Sequence, residues 1–370
     1  MTLESESWLD GFNEYYLNNY VASGGSKVKI LIGSAGTGKT HILRCVESRA
    51  SMLGYYTVYF SMSNWDNRIN DLPNLYRTIA SKLDHQRLVR DLCQRVAATL
   101  GYEKRIYSGD TRLLKVMMEE GLNRQDAERE ICNAIRRTFR DVDIGSSFSA
   151  FAYLVARNRM ITGQEEGNQI ALKWLCGQKM EKHERQATGL LETLQKTNAH
   201  AWLNSLVCLL NVLGRKGLVV LIDDLEVPFS EQRLSSEMAI EDAYESLRQL
   251  IDDVEMLSGF MMMLAGGRDI VGDVSIKGYE ALWMRLQTEM MPADHFNPFT
   301  DMIDVDADLG ALGPEFSRKL SAHMIRVLQH WGCHRVFSDE IPDLTDQTPI
   351  RAAVMEIAWL VERTDLRRVK

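Results

Sequence analysis

Apolar positions along the chain follow two rhythms. Short continuous runs are separated by long stretches in which hydrophobic side chains recur every three or four residues. Val28, Ile30, Leu31 and Ile32 make the first run, and residues 55–62 (Y-Y-T-V-Y-F-S-M) the second. Residues 218–222 make the third, residues 259–265 (G-F-M-M-M-L-A) the fourth, and Ile303 with Val305 marks a last one. Such runs predict strands of a parallel sheet, apolar because both faces are covered. Helical spacing fills the intervals. Ile42, Leu43, Val46 and Ala50 form one stripe that ends at Gly54. From Leu72 to Leu213 the pattern is almost all helix, with Leu75, Ile79 and Leu83 in one stripe and Trp202, Leu206, Leu209 and Leu213 in the last. Asn123 is placed as the N-cap of a helix carrying Ala127, Ile131, Ala134, Ile135 and Phe139. An interval this long exceeds a simple crossover between parallel strands and predicts a helical subdomain.

The expected organisation is therefore an α/β core in two pieces. Residues 1–63 supply the first piece, 64–213 the helical insertion, 214–309 the remainder of the core, and 310–370 a C-terminal helical lid. Pro314 suits the first turn of the lid, and Ile350, Val354, Ile357 and Val361 mark its final helix. An aromatic, amphipathic segment from Trp8 to Tyr20 leads into the first strand as a helix. Its Tyr15, Tyr16 and Tyr20 have two readings, stacking on a base or packing the helix onto the sheet.

The segment after the first run reads Gly33-Ser34-Ala35-Gly36-Thr37-Gly38-Lys39-Thr40-His41, a full phosphate-binding loop between a strand and a helix. Its glycines let successive N–H groups turn toward phosphate oxygens, and the following helix presents its positive end to the same place. Lys39 supplies a mobile charge for the β- and γ-phosphates, and the Thr40 hydroxyl is a ligand for Mg²⁺. The third run ends in Asp223-Asp224-Leu225-Glu226, a Walker B arrangement at the end of a strand where open α/β sheets hold their ligands. Asp223 would hold Mg²⁺, and Asp224 stands where many such NTPases carry a Glu that polarises the attacking water. The Asp is one methylene shorter, which predicts slow catalysis or a share of the task for Glu226. The two motifs together predict binding of ATP with Mg²⁺ by a P-loop NTPase, and the further strand at 259–265 fits the additional-strand type. Arg268, after the fourth run, is the candidate γ-phosphate sensor, with a surface arginine after a Gly-Gly turn as the other account. Arg285 would face this site or a neighbouring subunit.

Composition narrows the class. The 370 residues are 45% hydrophobic and 25% charged, enough for one large domain or two modest ones. A net charge of −8 argues against a chain built mainly to sheathe nucleic acid. The insertion does carry basic residues (Arg77, Arg87, Arg90, Arg105, Arg136, Arg137 and Arg140 among them), but acids are interleaved with them, which predicts a solvated face. Six scattered cysteines without a C-x-x-C pair suit a reducing compartment. No run approaches membrane-spanning length and the start lacks a signal-peptide pattern, so a cytoplasmic location is expected. His330, Cys333 and His334 have metal-like spacing, yet no second cluster completes four ligands.

The order of blocks resembles the ATP-binding family of BREX phage-defence systems, related to AAA+ and origin-recognition-type ATPases. The resemblance lies in Tyr16-Leu17 through Gly24-Gly25-Ser26 to Thr40-His41, in Leu75-Tyr76-Arg77-Thr78-Ile79 and in Trp174-Leu175-Cys176-Gly177. It continues through Asn198 to Trp202-Leu203, the Walker B segment, Gly278-Tyr279 to Arg285-Leu286, and Thr348-Pro349 with Arg351. The chain departs from it in having Asp224 where the family usually shows Glu, and in Ile350 between Pro349 and Arg351. The resemblance implies an ATPase in a multi-protein defence complex, with other defence proteins, double-stranded DNA and further copies of the chain as candidate partners. The alternatives are an ATP-holding docking module with little turnover, and a DNA loader or translocase component.

Overall fold

The computed structural model describes residues 10–229, 237–271 and 301–306. Five parallel strands form its sheet: β1 (Ser26–Ile32), β2 (Tyr56–Ser61), β3 (Leu218–Asp223), β4 (Phe260–Gly266) and β5 (Met302–Asp304), in the order β2-β3-β4-β1-β5. Registers are continuous, with Val28 opposite Met262, Val220 opposite Met262 and Tyr59 opposite Leu221. The order interposes β4 between the strand that carries the phosphate loop and the strand that carries Asp223.

Alternate side chains on each strand go to opposite faces, and each face has its own core. Leu31, Leu221, Met261, Met263 and Ile303 pack with Phe12, Tyr16, Leu17, Leu43, Val46 and Ala50. These last come from the N-terminal segment, where Asn13–Tyr20 is wound as a π-helix, and from α1 (Lys39–Met52). The other face bears Ile30, Tyr56, Val58, Val220, Ile222, Met262 and Leu264, and its core runs without a break into the helical insertion. Central strands β3 and β4 are buried at every position, whereas the edge strand β2 is buried only at alternate ones, which is why its sequence mixes aromatic and polar residues.

The insertion comprises α2 (Leu72–Lys82), α3 (His85–Ala98), α4 (Leu113–Glu119), α5 (Arg124–Phe139), α6 (Gly145–Arg157), α7 (Glu165–Leu175), α8 (Lys182–Thr188) and α9 (Ala199–Val212). Side-chain caps set several starts: Asp71 accepts from Asn74 N (2.8 Å), Asp84 from Arg87 N (2.9 Å), and Asn123 from Asp126 N (2.9 Å), as its sequence position predicts. Trp174 and Trp202 lie 4.6 Å apart between Phe148, Phe151 and Tyr76, and both indole N–H groups are satisfied by Glu192, one by its carbonyl (2.7 Å) and one by its carboxylate (2.9 Å). A further helix, α10 (Glu237–Glu255), joins the insertion side of the core through Tyr244, Leu247, Leu250 and Val254. The sequence reading does not include it, although its apolar spacing is helical. Glycine is required at Gly217, whose φ of 141° and close approach to the Gly259 carbonyl leave no room for a Cβ. The expected lid, Arg285 and the His330–Cys333–His334 group lie outside the described residues. No helix among the described residues is long and apolar enough to cross a membrane.

Candidate nucleotide site

Residues 33–38 join β1 to α1 at the C-terminal edge of the sheet. Gly36 and Gly38 have φ of 84° and 90°, a region that side-chain-bearing residues rarely enter, so the loop curls as the glycine spacing predicts. Inside the curl the Lys39 ammonium donates to the Gly33 carbonyl at 2.7 Å and the Ser34 carbonyl at 2.9 Å. Thr37 is buried and its hydroxyl donates to the same Ser34 carbonyl at 2.9 Å. Thr40 and His41 open α1, both on its exposed side, with His41 Nε2 3.5 Å from Cys45 Sγ.

Asp223 reaches this loop across β4. Thr40 Oγ1 donates to Asp223 Oδ2 at 2.6 Å, so two residues separated by 183 positions in the chain share one hydrogen bond. Asp223 is buried, and its Oδ2 also accepts from the Tyr59 hydroxyl at 2.9 Å. Burial, reinforced by that bond, pushes the Tyr59 phenol up to about 12, and the Arg44 guanidinium lies 3.3 Å from its ring centroid. Asp224 has φ of 57°, rare for a residue with a side chain. Its N–H donates to Asp223 Oδ1 (3.0 Å), while its own carboxylate accepts from the Ser61 hydroxyl and from the Ser63 hydroxyl (2.9 Å). Glu226 is turned to the end of β4, where it accepts from Gly267 N at 2.9 Å.

Arg268 is held on the opposite side of the loop. Its Nη2 donates to both oxygens of Asp304 at 2.8 Å, and its Nε donates to Asp306. Asp306 in turn accepts from Ser34 N at 2.9 and 3.0 Å and from Ser34 Oγ at 2.7 Å. Burial alone would raise the Asp306 pKa; the bonds from Arg268 and Ser34 outweigh it and hold the carboxyl below the usual range. Of the three tyrosines, Tyr16 is buried with its ring 4.2 Å from Lys29 Nζ, which is the packing outcome, while Tyr15 and Tyr20 are exposed.

The residues missed from sequence are those that support the motifs: Tyr59, Ser61, Ser63, Asp304 and Asp306. One signal was present. Asp304 and Asp306 alternate with Ile303 and Val305 of the last apolar run, and acids at the C-terminal end of a parallel strand lie beside the ligand side of the sheet.

A parallel sheet whose first strand feeds a glycine loop, a lysine and a helix, with a buried acid brought to that helix from the strand two places away, defines a P-loop-like nucleotide-binding α/β protein. The chain matches, over residues 17–331, the family model described as BREX system ATP-binding protein BrxC/D, and it belongs to that family. Membership makes it an ATP-binding component of a BREX system and so places it in phage defence. None of the curated proteins matches the chain.

Proposed function

We propose that the chain is an Mg²⁺-dependent ATPase of the additional-strand, AAA+-like type, acting as a nucleotide-driven switch within a multi-protein defence complex. The observation that carries this reading is the 2.6 Å bond between Thr40 and Asp223, beside the Lys39 ammonium. It joins a hydroxyl and a carboxylate, the hard oxygen donors that Mg²⁺ prefers, and an ion there would complete its shell from water and phosphate oxygens. Bound Mg²⁺ would neutralise charge building on the β- and γ-phosphate oxygens. Lys39 would leave the Gly33 and Ser34 carbonyls for the phosphates, and Asp224 would orient the attacking water. Catalysis would rest on positioning and electrostatics. The interposed strand β4 supports the additional-strand assignment. The division into core pieces 1–63 and 214–309, an insertion at 64–213 and a lid at 310–370 is retained as part of this proposal, with Arg285 facing the nucleotide site or a neighbouring copy.

A second reading, an ATP-held docking module, is favoured by one observation. The Asp224 carboxylate is engaged through Oδ2 by both Ser61 and Ser63, which ties the side chain toward β2 and leaves a single oxygen to address a water. Association with double-stranded DNA has less support, because several basic residues of the insertion are matched by acids: Arg90 with Asp110 (3.0 Å), Arg105 with Glu103 (2.7 Å) and Arg87 with Asp91 (3.9 Å).

Steady-state ATP hydrolysis, with and without double-stranded DNA, separates these readings when the Asp224→Asn variant is measured alongside. Turnover that the substitution removes supports the ATPase. Tight ATP binding with negligible turnover in every condition would favour the docking module, and DNA stimulation would restore the loader reading.

A further inference from the structure

The peptide between Gly33 and Ser34 is gripped from both ends. Its carbonyl, on Gly33, accepts from the Lys39 ammonium at 2.7 Å. Its N–H, on Ser34, donates to both oxygens of Asp306 at 2.9 and 3.0 Å, and the Ser34 hydroxyl adds a third bond to the same carboxylate at 2.7 Å. The next carbonyl, on Ser34, accepts from Lys39 Nζ (2.9 Å) and Thr37 Oγ1 (2.9 Å). A carboxylate on one edge of a peptide plane and an ammonium on the other both favour the same orientation of that plane, because each aligns with its dipole. Asp306 is itself anchored from two sides. Arg268 donates to it through Nε and to Asp304 through Nη2, and Asp306 N donates to Asp304 Oδ1 at 3.0 Å. Asp304 lies in β5 opposite Ile32, the last residue of β1, so the whole assembly is mounted on the sheet edge beside the loop.

We propose that Asp306 is a positioning residue for the phosphate loop, and that Arg268 serves nucleotide binding through Asp306 instead of touching the γ-phosphate. The proposal rests on the reading of the loop as the ATP site. It changes the role expected of Arg268. A γ-phosphate sensor discriminates ATP from ADP, whereas an arginine that orders the loop supports both equally, since the loop binds phosphates common to the two. Asp306→Asn removes the negative charge that the Ser34 and Arg268 donors share, and even with its oxygen in the place of Oδ2 it sets the amide N–H₂ against the second branch of the Ser34 N–H bond. Arg268→Ala would leave Asp304 and Asp306 as like charges without their shared cation.

The test is the equilibrium affinity of the full chain for ATP and for ADP, each with Mg²⁺, in Asp306→Asn, Arg268→Ala and the double variant. The expected result is a weakening of about tenfold for both nucleotides in each single variant, the scale of one lost charge-assisted hydrogen bond. The double variant should be no weaker than Asp306→Asn alone, because both substitutions break one chain of contacts. Amide hydrogen exchange at Ser34 should accelerate in each variant by more than the accompanying loss of nucleotide-free stability accounts for. If Asp306→Asn fails to fold, Ser34→Ala takes its place and removes only the hydroxyl bond, with a smaller, equal loss for both nucleotides. Weakened ATP with unchanged ADP in Arg268→Ala would overturn the proposal in favour of a sensor, and unchanged affinity for both would overturn it outright. Lys39→Ala separates the two levels: if that variant also binds ATP normally, the error lies in the site assignment itself.

Discussion

Arg215 ties the helical insertion to the sheet, and replacing it with Met tests how that junction is held. The residue lies between α9 and β3, and its Nη2 and Nε donate to one oxygen of Asp91 on α3 at 2.6 and 3.0 Å. The same oxygen accepts from the Tyr56 hydroxyl on β2 at 2.9 Å, and Arg87 stands 3.9 Å away. The Asp91 side chain is 8% exposed and that of Arg215 20%, so this pair is poorly screened by solvent. Arg215→Met keeps an unbranched stem while removing the charge that faces Asp91. Breaking a buried ion pair from one side costs about 3–5 kcal/mol, because the remaining charge stays in a low-dielectric site. Tyr56 and Arg87 still serve Asp91, which sets the expected loss at the lower end, about 3 kcal/mol. For a chain of 370 residues that is a fall in melting temperature of roughly 4 °C.

Thermal and urea unfolding at neutral pH, followed by circular dichroism, measure it. A companion with Arg215→Met, Asp91→Leu and Tyr56→Phe removes the buried carboxylate with its hydrogen-bond donors, leaves only the part-exposed Arg87, and should recover most of the loss, since no buried charge is left stranded. A loss under about 1 kcal/mol in Arg215→Met would refute the argument from burial. A companion no more stable than the single variant would show that the loss comes from packing and not from an uncompensated carboxylate.

Other outcomes follow from the same structure. Asp306 has its pKa held below the ordinary carboxylate value in the folded chain, so its contribution to stability is present above that value and is lost as pH falls through the depressed one. The stability difference between the parent and Asp306→Asn should therefore be constant at neutral pH and shrink in acid unfolding curves below about pH 4. Trp174→Ala empties a fully buried site and strands the Glu192 carbonyl, and denaturant unfolding should register a cost of about 3–5 kcal/mol. Gly217→Ala drives a Cβ against the Gly259 carbonyl where β3 begins, and should lower stability by about 1–3 kcal/mol in the same assay. Thr40→Val removes the hydroxyl that meets Asp223 while keeping the side-chain volume; nucleotide affinity should lose most of its dependence on Mg²⁺, read by titration with and without chelator.

Much of the architecture was legible because it depends on local pattern. The strand runs at 55–62, 218–222 and 259–265 each match the strand observed there to within one residue at either end. The Asn123 cap and the glycine loop are likewise local events, set by a side chain and the backbone a few residues away. The helix Glu237–Glu255 carries a local signal of the same kind, an apolar stripe of Tyr244, Leu247, Leu250, Ile251 and Val254 at helical spacing. For Glu226 and Arg268 the sequence left open which partner each would meet. The fold supplies Gly267 N–H to the first and the Asp304–Asp306 pair to the second.

That difference has a physical origin. A glycine at positive φ, a capping Asn or a six-residue apolar strand is selected by sterics and hydration within a few residues, so the amino-acid order alone determines it. Which acid meets Thr40, which hydroxyls hold Asp224 and which carboxylate grips Ser34 depend on strand order. The order β2-β3-β4-β1-β5 is settled by how two apolar sheet faces are covered, one by the N-terminal segment and α1, the other by the insertion and α10. Contacts that span 183 residues, as Thr40 and Asp223 do, or 272, as Ser34 and Asp306 do, are chosen by that burial and exist only once the sheet has formed.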